Sequence, residues 1–142
     1  MATFSRHVDI HWTGNLLEGS GKAAAGTGAF TLPVAFPKRI GEPGGETSPE
    51  ELIAGALGVC YTMVLSNMIA KKGGQTSGLK VGCEVTADKT DAGIKIVTAK
   101  LTPRAEGLSG MSADEFTATA TEAESKCPVA NALRGNVDIQ VA

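Results

Sequence analysis

The chain has 142 residues, of which 42% are hydrophobic and 20% are charged, and its formal net charge is −2. This length and composition predict one globular domain over residues 1–142 and exclude a disordered chain. A net charge so close to zero gives no reason to expect nucleic acid or a membrane surface as a partner. Apolar small molecules remain open as ligands.

The first twelve residues, MATFSRHVDIHW, alternate between polar and apolar types and lack the continuous apolar segment of a secretory signal. The most apolar stretch, residues 52–70, is interrupted by four polar residues and follows two glutamates, so we do not expect it to cross a membrane. We therefore expect a cytoplasmic protein whose three cysteines are reduced thiols and not a disulfide framework.

The N-terminal third is predicted to form short strands. In residues 6–13, RHVDIHWT, the side chains of Val8, Ile10 and Trp12 share one face of a period-2 pattern, which is typical of a half-buried strand. Glycines then divide the chain into tight turns and short strands. Residues 28–36 are a weaker strand candidate, and the prolines in and after them indicate an edge or irregular course.

A loop and then a long helix are predicted next. Residues 37–47, PKRIGEPGGET, indicate a loop whose only arginine is Arg39. The helix is predicted to begin directly afterwards, because Ser48 suits the N-cap, Pro49 suits the first helical position and Glu51 completes a capping box.

This helix carries Cys60 near its middle and is apolar or small on nearly every side. The residues concerned are Leu52, Ile53, Ala54, Gly55, Ala56, Leu57, Gly58, Val59, Met63, Val64, Leu65, Met68 and Ile69. A helix that is apolar all round is typically buried, so we predict a buried central helix. Its end is predicted at KKGG, where Gly73 suits the position after the C-cap.

The rest of the chain is predicted as two long strands, a second helix, a short helical turn and a final strand, in residues 79–88, 93–107, 112–127, 129–135 and 137–142. The second helix opens with a capping box from Ser112 to Glu115, and Pro128 ends it because the residue before proline is disfavoured in helical conformation. The order of elements predicts an α+β fold in one unit, without an internal repeat.

The cysteines differ in their local patterns. Cys83 lies in line with apolar residues on one face of a strand, which favours a packed, structural side chain. The apolar helix around Cys60 also favours packing, but Gly55 and Gly58 just before it would let another element approach the backbone closely. A packed and a reactive Cys60 both remain open on this evidence.

Cys127 precedes Pro128, which suits the first position of a short helix, so Cys127 is a candidate N-cap. Free backbone N–H groups there stabilise a thiolate and lower the pKa of the thiol. The alternative is a cysteine that merely ends a helix. Cys60 and Cys127 are far apart in the sequence, so CxxC chemistry is excluded and any pairing between them is tertiary.

A metal site is the rival interpretation of the polar residues. His7 and His11 share a strand face, but four residues of strand separate them by about 13 Å. Two imidazoles that far apart cannot bind one zinc ion at about 2 Å each. The chain has no HExxH motif and no paired CxxC motifs. We therefore expect no metal and no bound cofactor.

Two segments resemble one known family. SPEELIAGALGVCYTMVLSNM, at 48–68, and AESKCPVANAL, at 123–133, together are similar to the OsmC/Ohr family of thiol-dependent hydroperoxide reductases, and HWTGNLLEGSGKAAAGTGAF, at 11–30, extends the similarity. The loop before the long helix resembles the OsmC branch. The resemblance implies an OsmC-like fold, in which antiparallel sheets wrap around central buried helices in an intertwined homodimer with active sites at the interface.

The resemblance also implies roles for four residues. Cys60 matches the peroxidatic cysteine and Cys127 the resolving cysteine, while Glu50 and Arg39 match the family's glutamate and arginine. The implied reaction is attack of a Cys60 thiolate on a hydroperoxide, giving an alcohol and a sulfenic acid. Cys127 then closes a Cys60–Cys127 disulfide, which an external dithiol or lipoyl-type reductant reopens.

Residue chemistry completes this expectation. Glu50 is expected to orient Arg39 by a bidentate ion pair, and the guanidinium to favour the ionised thiol of Cys60. Apolar residues such as Leu57 and Met63 favour small organic hydroperoxides over hydrogen peroxide. Glu50 and Cys60 are ten residues apart on one helix, about 15 Å along its axis, so we expect Glu50 to serve the active site of the partner subunit.

The resemblance implies an enzyme of oxidative and osmotic stress defence, and two other classes of protein are weighed beside it. The first is a non-enzymatic thiol redox sensor, but the sequence has no DNA-binding motif and no basic patch that would transmit a signal. A stress-related binding protein on the same fold has no need of two cysteines together with Arg39 and Glu50. Both stay alternatives that a turnover assay discriminates.

Overall fold

Ten helices and strands follow one another in this computed structural model, which describes residues 1–142. In chain order they are β1 (Val8–Thr13), β2 (Ser20–Ala25), β3 (Thr31–Val34), α1 (Phe36–Ile40), α2 (Pro49–Lys71), β4 (Gly78–Thr90), β5 (Gly93–Glu106), α3 (Ala113–Lys126), α4 (Pro128–Leu133) and β6 (Asp138–Val141). The chain forms two compact units, Met1–Leu52 and Ile53–Ala142. The α+β class is confirmed, and the single domain over 1–142 stays a prediction.

The first unit contains an antiparallel sheet in the order β1-β2-β3. β1 is the predicted first strand, but the prediction that one face is buried is wrong for the single chain. Val8, Ile10 and Trp12 are 47%, 62% and 38% exposed, and the other residues of β1 are exposed as well. The alternation of the sequence is therefore present in a strand whose apolar face has no cover within this chain.

The short helix α1 corrects the prediction of a loop over residues 37–47. Ala35 is an extended N-cap, and Pro37 lies in the first turn, where its missing N–H costs no hydrogen bond. The helix ends where the N–H of Gly41 donates to the carbonyl of Pro37, at 3.0 Å. Arg39 thus lies on a helical turn, with a backbone more fixed than a loop would give it.

The predicted start of α2 is confirmed in part. The hydroxyl of Ser48 accepts a hydrogen bond from the N–H of Glu51, at 3.1 Å. The carboxylate of Glu51, however, accepts from the hydroxyl of Thr47 at 2.7 Å. At the other end, Gly73 has φ +83°, and the N–H of Gly74 reaches back to a carbonyl of the last turn, as predicted.

Burial of α2 is confined to one face. The buried residues are Leu57, Gly58, Tyr61, Leu65 and Ile69, whereas Val59 and Met63 are 58% and 68% exposed. The prediction of a helix buried on all sides is therefore wrong for the single chain. By length and composition α2 is also apolar enough to cross a membrane, with a mean hydropathy of 1.8, but the core helix of a soluble protein meets the same criterion.

The second unit contains a mixed sheet in the order β4-β5-β6. β4 and β5 form a long antiparallel hairpin that turns at Thr90 and Gly93, but β6 pairs with β5 in parallel. The prediction of purely antiparallel sheets is therefore correct for the first sheet and wrong for this one. The physical reason is the connection, since α3 and α4 form the helical crossover that a parallel pair requires.

One hydrophobic core holds the second unit together. Its fully or nearly fully buried members are Leu57, Tyr61, Leu65, Ile69, Ala99, Leu101, Ala120, Ala123, Cys127 and Ala130. α3 begins with the predicted capping box, in which the N–H of Glu115 donates to the Ser112 hydroxyl at 3.1 Å and the N–H of Ser112 to the Glu115 carboxylate at 2.6 Å. This core places the middle of α2 against the end of α3.

Candidate active site

Arg39 and Glu50 form a bidentate ion pair in the first unit. Arg39 Nε lies 3.0 and 3.1 Å from the two carboxylate oxygens of Glu50, and Arg39 Nη2 lies 2.6 Å from Oε1. The side chains are 27% and 14% exposed. α1 supplies the arginine from its last turn and α2 supplies the glutamate from its first. The structure thus brings these two predicted site residues together, while their part in catalysis stays a prediction.

The pair shifts the pKa of both groups. Hydrogen bonding to Arg39 is the largest cause and lowers the pKa of Glu50 below its usual range, against an opposing effect of burial. The same hydrogen bonds raise the pKa of Arg39. A guanidinium held in this way keeps its positive charge and a fixed orientation, which are the two properties required to stabilise a nearby anion.

The pH dependence of stability tests this pair. Because the pKa of Glu50 is lower in the folded chain than in the unfolded one, its contribution to the free energy of unfolding is complete above a pH of about 5 and is lost as the pH falls through the folded value. Glu50→Gln is expected to lower the free energy of unfolding by about 1 kcal/mol at pH 7, and the difference from wild type is expected to close as the pH falls through the lowered pKa of Glu50.

Urea unfolding of both proteins between pH 3 and pH 7, with the exposed Glu42→Gln as a matched control, measures this difference. A Glu50→Gln deficit that stays constant over the whole pH range contradicts the ion pair as its source.

An apolar cavity of about 290 Å³ lies beside Arg39 within the first unit. Its lining residues are Ile10, Trp12, Leu16, Ala23, Val34, Ala35, Phe36, Arg39, Thr47, Pro49 and Leu52. Arg39 is the one charged side chain among them. The cavity therefore combines a mainly hydrocarbon wall with a single cation, which suits a small apolar molecule that carries one polar group.

Cys60 and Cys127 lie close to each other in the second unit, where Cys60 packs against the core that contains Cys127 and its thiol contributes to the raised pKa of Cys127. Cys60 is partly exposed on α2, whereas Cys127 is 0% exposed at the junction of α3 and α4. Both are free thiols. A partly exposed thiol beside a buried one is an arrangement that can cycle between two thiols and one disulfide.

The predicted position of Cys127 at the N-cap of α4 is confirmed, because its sulfur accepts a hydrogen bond from the N–H of Ala130 at 3.5 Å. The prediction that this position lowers the pKa of the thiol is wrong. Burial raises the pKa of Cys127, and the nearby Cys60 thiol raises it further. The backbone N–H groups act in the predicted direction but are outweighed, because a thiolate at this depth loses its hydration.

Cys83 lies on β4 and packs at the margin of the core of the second unit. Its Cβ stands 3.3 Å from the position that a Cβ on Gly58 would occupy, so the absence of a side chain at Gly58 lets β4 approach α2. Burial raises the pKa of Cys83. These contacts agree with the packed side chain that the sequence predicts. At Gly55, by contrast, nothing approaches within 4 Å.

Two residues near these groups were not identified from the sequence. Trp12 was interpreted only as part of an apolar strand face, but it lines the cavity beside Arg39. Tyr61 was interpreted as a polar interruption of α2, but it is completely buried and hydrogen bonded. The available signal was the phenol itself, because a hydroxyl in an apolar helix needs a partner when the helix is buried.

The four predicted site residues lie in two separate pairs. Arg39 and Glu50 lie together in the first unit, and Cys60 and Cys127 lie together in the second. No group of three or more His, Cys, Asp or Glu side chains is placed to hold a metal ion. The absence of a metal from the reaction stays a prediction.

Comparisons with known proteins decide the family. The family model of the OsmC-like proteins matches residues 41–142. Peroxiredoxin OsmC of Escherichia coli is 30% identical over 139 residues, which cover 96% of this chain and 95% of that protein. This chain belongs to the OsmC-like protein family. The resemblance noted in the sequence is therefore confirmed.

Further relatives agree with this family. Organic hydroperoxide resistance protein-like 2 of Staphylococcus epidermidis is 30% identical over 124 residues, which cover 85% of this chain and 84% of that protein. Among solved structures, an organic hydroperoxide resistance protein OsmC from Legionella pneumophila aligns with a TM-score of 0.77 at 26% identity, over 99% of this chain and 97% of that one. The two small sheets and the helices thus match an OsmC structure.

Proposed function

We propose that this OsmC-like protein is a cysteine-based, metal-free peroxidase that reduces organic hydroperoxides, and hydrogen peroxide less efficiently, in cytoplasmic defence against oxidative and osmotic stress. The observation that carries the proposal is the pair of free thiols of Cys60 and Cys127, one partly exposed and one buried, which lie close together at one core. The names of two relatives, a peroxiredoxin and an organic hydroperoxide resistance protein, support the same chemistry.

The proposed cycle has three steps. The Cys60 thiolate attacks the O–O bond of the hydroperoxide, takes up one OH group as a sulfenic acid and releases the other oxygen, which is protonated to an alcohol. The thiol of Cys127 then displaces that OH as water and forms the Cys60–Cys127 disulfide. An external dithiol or lipoyl-type reductant restores both thiols and is itself oxidised. No bound cofactor takes part.

In this proposal the Arg39–Glu50 pair supplies the positive charge that stabilises the reacting thiolate. Glu50 accepts hydrogen bonds from two nitrogens on one edge of the guanidinium, so the charge has a fixed direction and does not rotate into solvent. Glu50 and Cys60 are ten residues apart along α2, about 15 Å by the rise of a helix. The pair is therefore proposed to act on Cys60 of a second subunit.

A homodimer is proposed because the single chain leaves two large apolar surfaces without cover. One lies on β1, where Ile10 is 62% exposed, and the other lies on α2, where Met63 is 68% exposed. Water contact with so many contiguous apolar side chains is unfavourable, and such surfaces are typical of obligate interfaces. A second copy of this chain covers them in the proposed assembly.

The proposed substrate is a small apolar hydroperoxide. Its hydrocarbon part fits the cavity of about 290 Å³ in the first unit, and Arg39 at the cavity wall faces its peroxide oxygens. Transfer of apolar surface from water stabilises such a complex by about 25 cal/mol for each Å² buried. Hydrogen peroxide has no such surface, and for that reason it is expected to be the poorer substrate.

A turnover assay tests the proposal. The purified chain, with excess cumene hydroperoxide and excess dithiothreitol, is expected to consume many equivalents of hydroperoxide, and the same assay with hydrogen peroxide is expected to be slower. In a parallel sample with one equivalent of cumene hydroperoxide and no dithiol, peptide mapping is expected to find a Cys60–Cys127 bridge within one chain.

The other outcomes separate the alternatives. A redox sensor forms the bridge once and does not consume further hydroperoxide in the presence of dithiol. A binding protein on this fold forms no bridge. A Cys60–Cys83 bridge contradicts the proposed pairing.

A further inference from the structure

Tyr61 belongs to the same buried core as Cys127, and Cys60 packs against that core. Tyr61 follows Cys60 on α2 and is 0% exposed. Its hydroxyl donates a hydrogen bond of 2.6 Å to the backbone carbonyl of Ala120. This bond joins α2 to α3 across the core of the second unit, between residues that are far apart in the sequence.

The acceptor belongs to the helix that leads to the other cysteine. Ala120 lies inside α3, whose C-cap is Cys127, and Cys127 is also the N-cap of α4. A single hydrogen bond therefore links the helix that carries Cys60 to the helix that ends at Cys127, about two turns before Cys127.

This bond is not needed to satisfy an orphaned carbonyl. Ala120 lies in the interior of α3, where the carbonyl already has an N–H partner four residues later in regular helical geometry. The ring alone, without its hydroxyl, could fill the same volume of the core. The specific effect of the hydroxyl is therefore to fix α3 relative to α2, and its removal loses this hydrogen bond without leaving the Ala120 carbonyl unpaired.

The electrostatic surroundings keep Tyr61 a donor. Burial raises the pKa of Tyr61 to about 12, and the negative charge of Glu124 adds to the rise. The phenol consequently stays protonated at any physiological pH.

We propose that Tyr61 is a positioning residue for formation of the Cys60–Cys127 disulfide, acting through its hydrogen bond to Ala120. The inference rests on the proposed peroxidase cycle and concerns its second step. There the S–H of Cys127 and the S–OH of Cys60 give one S–S bond and one molecule of water, so Cys127 sulfur is oxidised, Cys60 sulfur is reduced and no further reactant is needed. The rate of this step depends on how closely the two sulfurs are held together.

Tyr61→Phe removes only the hydroxyl and keeps the ring in the core. The matched control is Thr62→Val, because the hydroxyl of Thr62 donates to the carbonyl of Gly58 at 2.7 Å within α2 and makes no link to α3. The first readout is the equilibrium between the Cys60–Cys127 dithiol and disulfide in mixtures of reduced and oxidised glutathione, which needs no hydroperoxide. Tyr61→Phe is expected to lower the equilibrium constant for disulfide formation about three- to tenfold, the effect of one buried hydrogen bond.

The second readout is rapid mixing with cumene hydroperoxide, with sulfenic acid and disulfide followed separately. Tyr61→Phe is expected to slow disulfide formation by a similar factor and to leave sulfenic acid formation unchanged, and Thr62→Val is expected to change neither step. A Tyr61→Phe protein that loses stability in urea but keeps the wild-type glutathione equilibrium overturns the inference. If wild type does not reduce hydroperoxide at all, the proposed function fails while the glutathione equilibrium still decides the role of Tyr61.

Discussion

Cys60→Ser is expected to abolish peroxide turnover, with kcat/KM for cumene hydroperoxide reduced on the order of 10³-fold or more. A serine hydroxyl is not ionised at neutral pH, and it cannot form the sulfenic acid on which the second step depends. The Cys60 side chain is partly exposed and lies close to Cys127 at the margin of the core. The substitution is therefore expected to leave the fold intact.

The chain offers a matched control in Cys83→Ser. Cys83 is also partly buried and also packs at the margin of the second unit's core, but it lies on β4 and not in the thiol pair. Its replacement is expected to keep turnover within about twofold of wild type, with a modest loss in the free energy of unfolding from its contact with α2. Steady-state assays and urea unfolding of both variants make the comparison. Full activity in Cys60→Ser removes Cys60 as the nucleophile, and a large loss in a stably folded Cys83→Ser assigns Cys83 a role that its packing does not suggest.

The helix ends could be predicted from the sequence because they depend on hydrogen bonds between residues that are close together in the chain. The capping box of Ser112 and Glu115 and the C-terminal Gly73 involve residues within one or two turns of each other, so their geometry follows from short-range hydrogen bonds. α1 was missed for a related reason. Its five residues contain Pro37, and a helix of that length has no periodicity from which to recognise it.

Features that depend on distant contacts could not be read from the sequence. The parallel pairing of β6 with β5 follows from the path of α3 and α4, which no local pattern records. A second such feature is the exposure of Val8 on β1 and of Val59 on α2. An apolar pattern predicts that a surface is covered, but it does not indicate whether the same chain or another one covers it.

The candidate site divides in the same way. The resemblance predicts that Arg39 and Glu50 serve one site. Because opposite charges attract at short range, their ion pair follows from that prediction. The meeting of Cys60 and Cys127 was also expected from the resemblance. The pKa of Cys127 was predicted with the wrong sign, because its depth in the core depends on how α2, β5 and α3 pack together.

Cys127→Ser is expected to keep the first turnover but to lose the protection of Cys60 against overoxidation in later turnovers. Cys127 is completely buried, and its sulfur accepts the N–H of Ala130 as the N-cap of α4. Serine is among the most favourable N-cap residues, so the short helix keeps its cap and the fold is expected to survive. What disappears is the thiol that condenses with the sulfenic acid.

In the presence of excess hydroperoxide and limiting dithiol, Cys60 in this variant is expected to pass from sulfenic to sulfinic and sulfonic acid, whereas wild type stops at the disulfide. Mass spectrometry of the Cys60 peptide measures the number of added oxygen atoms, and a chemical probe for sulfenic acid measures the first product. The amplitude of the first turnover is expected to equal wild type, because Cys127 takes no part in the proposed attack on the hydroperoxide. If Cys127→Ser resists overoxidation as well as wild type does, the resolving role is contradicted. If the first turnover is missing, Cys127 also takes part in the initial attack, from its buried position close to Cys60.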